Sequence, residues 1–128
     1  MYPRRSFVVC CKLNFMEHII DAKGKPLGRI ASRVALILQG KHTAAYNPRL
    51  PGTDTVVIRH ASDVVVSGRK VSQKVYYRHA GALGHLKERK YRDVFAKDPR
   101  WVLRHAIERM LPKNRLQAQR MKKLVIEK

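Results

Sequence analysis

HIIDAKGKPLGRIASRVALILQG, residues 18–40, changes its periodicity halfway along, and that change sets the fold class. Its opening, HIID, follows Glu17 and has the apolar character of a short buried strand ending at Asp21. AKGK supplies a turn. Pro26 suits the first position of a helix, because its φ is already near the helical value and its missing N–H would go unpaired there anyway. Leu27, Ile30, Ala31, Val34 and Leu38 then recur at helical spacing, and Gly40 stands as a C-terminal stop. Arg29 and Arg33, four apart, fall on a different face. One side of this helix therefore packs while another presents cations.

The rest of the chain extends this strand–turn–helix start. Residues 41–53, KHTAAYNPRLPGT, contain Pro48, Pro51 and Gly52 and read as an irregular loop. DTVVIRH, from Asp54, is β-branched and fits a largely buried strand. ASDVVVSG reads as a second short strand, SGRK as a turn, and KVYYRH as a third extended segment, which AGALGH interrupts. After Lys87 the pattern turns helical. YRDVFAKD predicts one short helix. DPRWVLRHAIERML predicts a stronger one, with Asp98 as N-cap, Pro99 at the first position, and Trp101, Val102, His105, Ile107 and Leu111 partly on one side. Pro112 stops it. KNRLQAQRMKKL predicts a short basic helix or arm, and VIE an edge strand. Strand, helix, strands and then helices imply one compact α/β domain with helices covering the sheet.

Composition is consistent with that domain and indicates its partner class. The 128 residues suit a single domain, and 45% apolar residues are enough for a core. Lysine and arginine total 28 against nine carboxylates, giving +19 and a pI near 10.7. Such charge repels itself on a small domain, and a polyanion relieves that repulsion. No apolar run approaches the roughly 18 residues needed to span a bilayer, so nucleic acid is favoured over membrane. Cys10 and Cys11 are adjacent and form no zinc-type pair, which suits a reducing compartment. Residues 1–16, with an apolar patch at Phe7 to Cys11 shorter than a signal-peptide core, read as a flexible N-terminal extension.

Three chemistries compete for the polar residues. Catalysis needs titratable groups gathered and oriented by carboxylates, but the nine acids stand singly beside turns and helix starts. No H-E-x-x-H, G-x-S-x-G or P-loop pattern occurs. A metal site would have to use His79 and His85, six apart, with Arg78 and Lys87 as neighbours that oppose a dication. No metal, cofactor or catalytic residue is therefore expected, and His60 and His105 read as structural. Nucleic-acid binding gathers what remains. Arg69, Lys70, Lys74, Arg78, Lys87, Arg89 and Lys90 surround Tyr76 and Tyr77 with only Glu88 opposing them. Strand alternation sends one tyrosine inward and leaves the other free to stack. Gly81 and Gly84 let backbone approach phosphate closely, with His79 and His85 beside them as donors. A second cluster holds Lys41, His42, Tyr46 and Arg49; a third holds Lys113, Arg115, Arg120, Lys122 and Lys123. Loops of this kind fit folded RNA by shape, phosphate and ribose contacts.

At this point a family resemblance becomes legible. IIDAKGKPLGRIASRVALILQGKHTAAYNP resembles the opening of the large-subunit ribosomal protein L-thirteen family, where V-I-D-A, L-G-R-x-A and G-K-H-x-x-x-Y-x-P follow in order. VVVSGRKVSQKVYYRHAGALGHLKE is similar to its T-G-x-K, K-x-Y-Y-x-H-[ST]-G and G-x-x-K-E motifs, and MLPKNRL to its closing run. Ala80, His85 and Gln117 depart from the pattern, as does Glu17–His18 where an aromatic residue is usual. The resemblance implies a three-layer α/β fold with a small, mostly parallel sheet, basic loops and a basic C-terminal arm, over residues 17–128. It implies a structural component of the large ribosomal subunit that binds and clamps large-subunit rRNA and acts early in assembly. Its expected partners are that rRNA and neighbouring large-subunit proteins, with no membrane and no homo-oligomer. Its expected location is a cytoplasmic or organellar ribosome. RNA contacts are implied at Lys41, His42 and Tyr46, in the Lys74–Gly84 loop, and at Lys113 and Arg115. The competing readings are a free RNA-binding translational regulator and, more distantly, an RNA-modifying enzyme.

Overall fold

The computed structural model describes residues 16–81 and 84–127. Residues 1–15 of the N-terminal extension, with Cys10 and Cys11, lie outside the described residues. In chain order the elements are β1 (Glu17–Asp21), α1 (Leu27–Gln39), β2 (Thr55–Arg59), α2 (Lys70–Gln73), β3 (Val75–His79), β4 (Leu86–Lys90), α3 (Tyr91–Lys97), α4 (Pro99–Met110), α5 (Arg115–Lys122) and β5 (Leu124–Ile126). They form an α/β domain around a small parallel sheet of order β1-β2-β5, with β3 and β4 as a separate antiparallel hairpin.

The sheet is one-sided. Val56 and Ile58 point inward from the central strand and are fully buried. The opposite face carries a cross-strand row in which Val57 pairs with Ile19 and with Val125. Ile19 is 59% exposed. The sequence predicts a buried first strand; β1 is instead a partly exposed edge, because its alternating side chains send only one set toward the helices.

Helix α1 buries the expected stripe of Leu27, Ile30, Ala31, Val34 and Leu38, with Ala35 added. Pro26 is its N-cap, in extended conformation, one position before that predicted. Gly40 ends the helix in the left-handed region at φ 76°, where a side chain would be strained, and Lys41 N–H returns to Leu36 O. The predicted second strand, ASDVVVSG, does not form. Ala61–Asp63 make a 3-10 turn, and Val65 forms only an isolated bridge to Pro26. The bridge cannot grow into a ladder because its partner segment becomes helical at Leu27, whose N–H is bonded to Val65 O.

SGRK leads into a single helical turn, α2, and not into a simple reverse turn. The region after Lys87 is also corrected, since Leu86–Lys90 is β4 and helix begins only at Tyr91. All five β4 residues are exposed, so no apolar alternation marks the strand in sequence; its ladder to β3 alone defines it. Helix α4 starts as predicted, with the Asp98 carboxylate accepting from Arg100 N–H and Pro99 in the first turn. Its buried residues are Val102, Leu103 and Ile107. The predicted C-terminal arm is a docked helix, α5, burying Arg120 and Met121, and β5 closes the sheet edge as expected.

The core joins the inner sheet face to α1 and α4, which pack on each other. Tyr76 then holds the hairpin against α4 through ring contacts with Trp101 and His105. Sheet, helix pair and hairpin thus form successive tiers.

Candidate nucleic-acid interface

The hairpin projects the strongest basic signal, and its two tyrosines divide as strand alternation requires. Tyr76 turns inward, its ring meeting Trp101 edge-on at 5.1 Å, His105 at 5.5 Å and Tyr91 at 6.5 Å. Burial raises the Tyr76 phenol above its ordinary value, with Tyr91 adding to it. Lys74 caps this ring at 5.0 Å, and burial, helped by Lys70, lowers its ammonium. His105 stacks on Trp101 at 4.9 Å, and burial, with Arg109, lowers its imidazole despite Glu108. Tyr77 is 62% exposed on the other face.

The ladder register sorts the remaining hairpin residues. Arg78 stands opposite Lys87 and Tyr76 opposite Arg89, so these cations share the Tyr76 face; Tyr77 stands opposite Glu88, and His79 opposite Leu86. Like charges directly across a ladder repel each other, which a polyanion would relieve. Ala80 N–H donates to His85 O at 3.2 Å, extending the pairing one step past β3. Gly81 and Gly84 have φ of 91° and 84°, with open space where a side chain would begin.

The loop at 41–53 is irregular yet stitched down. Gly52 is buried against the end of α1, and a Cβ there would lie 2.5 Å from Leu38 O. Lys123 Nζ donates to Gly52 O, and Arg120 donates to Leu50 O at 3.5 Å. Arg120 is 2% exposed, and its Nε has no protein partner. Of the C-terminal cluster, Arg120 is enclosed and Lys123 bonds the loop backbone, where α5 packs behind the loop. Lys113, Arg115 and Lys122 stay exposed. On the loop itself Lys41 lies 5.9 Å from the Tyr46 ring centre, and Arg49 is exposed.

Two clefts bring these clusters together. One is bordered by Lys41, Tyr46, Pro48, Met110 and Asn114. The other is bordered by Gly28, Lys70, Lys74, Arg109 and Met110. Met110 borders both, between the loop side and the hairpin-base side. No sequence pattern singles out Arg109; only its spacing of four from His105 on α4 points to it. Arg29, Arg33 and Arg69 are exposed but border neither cleft. Among the described residues no carboxylate pairs with a lysine or arginine of the α1, loop or hairpin clusters; Arg59 pairs with Glu127 and Arg100 with Asp98 elsewhere.

The histidines divide differently from expectation. His60, in a left-handed conformation after β2, has Nδ1 2.9 Å from Asp21 Oδ1 and is structural as predicted. His42 has its Nε2 2.7 Å from Asp54 Oδ2, and His18 Nε2 lies 3.4 Å from the same oxygen. Burial pushes the Asp54 carboxyl up, but the Thr53 hydroxyl, His18 and His42 outweigh it and hold it below the usual range. These three residues lie far apart in sequence, so their spacing gives no metal-type signature. No helix among the described residues is long and apolar enough to cross a membrane.

Comparison with known proteins adds a family match. The family described as ribosomal protein L13 matches residues 16–126. A protein of Chloroflexus aggregans named large ribosomal subunit protein uL13 is 46% identical over 109 residues, covering 85% of this chain and 76% of that one. Proteins of the same name from Clostridioides difficile and Rubrobacter xylanophilus are each 45% identical, covering 84% and 85% of this chain and 75% and 76% of theirs.

Proposed function

This chain belongs to the ribosomal protein L13 family, and from that premise we propose that it is a structural, non-catalytic constituent of the large ribosomal subunit. Residues 17–128 act as one rRNA-binding domain that clamps separate segments of folded large-subunit rRNA and supports early subunit assembly. The observation that supports this reading is a pair of basic clefts that share Met110 as a lining residue, one bordered by Lys41 of the proline loop and the other by Lys70, Lys74 and Arg109 at the hairpin base.

Each part of the surface has a distinct task. Lys41, Lys70, Lys74 and Arg109 neutralise phosphate along the clefts. Arg78 and Lys87, opposed across the hairpin, engage phosphate beyond it, while Gly81 and Gly84 let backbone approach closely. Tyr77, His79 and Tyr46 supply stacking and hydrogen bonding, the contacts that discriminate an unpaired RNA segment. Arg29, Arg33, Arg49, Arg69, Lys113, Arg115 and Lys122 contribute an outer basic field. Arg120 and Lys123 act indirectly, by holding the loop.

Co-sedimentation and salt dependence test the proposal together. The protein is expected in large subunits at one copy each after a moderate-salt wash. Its affinity for a cognate rRNA fragment is expected to fall about 10³–10⁵-fold between roughly 50 and 200 mM salt, as for about 6–10 phosphate contacts. Recovery mainly in free or substoichiometric complexes would point to a regulator acting off the ribosome. A flat salt response would remove the electrostatic mechanism.

A further inference from the structure

We propose that His18, His42 and Asp54 form a binding site for one divalent transition cation of the zinc class, which pins the proline loop to the parallel sheet. The three donor atoms converge from separate parts of the chain: β1, the loop after α1, and the residue preceding β2. All lie within 4.8 Å of one another. Tetrahedral zinc holds its ligands at about 2.0–2.2 Å, which places neighbouring donors about 3.3 Å apart. Asp54 Oδ2 sits 2.7 Å from His42 Nε2 and 3.4 Å from His18 Nε2, so sub-ångström side-chain shifts open room for an ion.

The surroundings also fit. The two imidazoles are nearly perpendicular, at 82° with centroids 5.1 Å apart, and both bring Nε2 to the same oxygen. The other Asp54 oxygen accepts from Thr53 Oγ1 at 3.0 Å, which orients the carboxylate from outside and leaves Oδ2 for the ion. Asp54 is 5% exposed at its side chain, whereas His18 and His42 are 29% and 30% exposed. The site thus has a buried anionic floor and an open mouth where water completes the coordination. Two imidazoles and one carboxylate suit Zn(II), Co(II) or Ni(II) better than calcium or magnesium, which prefer oxygen ligands throughout.

The test is a titration of the full-length protein with Co(II), read by its visible d–d absorption. One equivalent is expected, with an intense four- or five-coordinate spectrum that Zn(II) displaces. Cys10→Ser/Cys11→Ser and His79→Ala/His85→Ala variants serve as controls, because those pairs are the rival ligands, and both are expected to retain binding. Thr53→Val is expected to weaken binding about 10–100-fold, as loss of an outer-shell partner does, and His18→Phe or His42→Phe by more. His18→Gln, read alongside a thermal melt, decides the matter should His18→Phe disturb β1. Absence of saturable Co(II) binding, retention of wild-type affinity in the His18 variants, or loss in the cysteine or His79/His85 controls would overturn the site.

Discussion

The loop at 41–53 and the β3–β4 hairpin have similar basic character in sequence but opposite mechanical character. The loop has no helix or strand, yet Gly52 is wedged against Leu38, Asp54 engages His42, and two side chains from the C-terminal region hold its carbonyls. The hairpin has a regular ladder of five residue pairs, yet beyond Tyr76 the described side chains of its two strands stand in solvent. Regular secondary structure and rigidity are thus separate properties here. The loop is held from behind by distant parts of the chain, whereas the hairpin is anchored chiefly at its base through Tyr76.

The sharpest break of this comparison is to exchange truncations. Arg120→Ala, behind the loop, is expected to cost about 1–3 kcal/mol of stability, through the lost packing of its buried stem and the lost bond to Leu50 O. Arg78→Ala on the hairpin should leave stability within about 0.5 kcal/mol in the same denaturant titration. Equal effects would mean that loop and hairpin are held alike. Next in size is the tyrosine pair. Tyr77→Ala is expected to weaken binding of a cognate rRNA fragment by about 1–3 kcal/mol, the worth of one stacked base, with an unchanged melting curve. Tyr76→Ala should do the reverse in kind, lowering the melting temperature first, because Tyr76 anchors the hairpin on Trp101 and His105.

Acidification gives the smallest and most selective effect. His105 has a lowered folded-state value, so its contribution to stability is fully present above the ordinary histidine value of about 6.5 and is lost as pH falls through its folded value. Asp54 is likewise lowered, and its contribution is present above about 3.8 and lost further into acid. A stability–pH curve should therefore show a first decline just below neutrality that His105→Phe removes. A decline that persists in that variant would locate the sensitive proton elsewhere.

Much of the fold is legible in the sequence because local chemistry and tertiary packing agree. The α1 stripe, the Gly40 stop, the Asp98–Pro99 start of α4 and the strand at Val75–His79 all follow from spacing and caps. What escapes is whatever only a distant partner defines. LKERK has no strand pattern and becomes β4 through its ladder to β3. VVV has the composition of a strand but loses its neighbour to a helix at Leu27. In the candidate site, the inward Tyr76 and outward Tyr77 follow from alternation once the core side is known. Arg120 could not be separated from Lys122 by composition, since burial behind the loop depends on how α5 docks.

The pairing of β5 with β2 has a consequence in time. Val56 lies at the centre of the sheet, yet its neighbour on one edge is Leu124, far along the chain. During synthesis at about 5–20 residues per second, the β2 edge waits several seconds for its second partner. Through that interval the nascent sheet has an unpaired central strand, rich in β-branched residues and open to whatever chain is near. The last strand made thus closes the edge of the first sheet begun, and the edge is safe from stray pairing only once the chain is nearly complete.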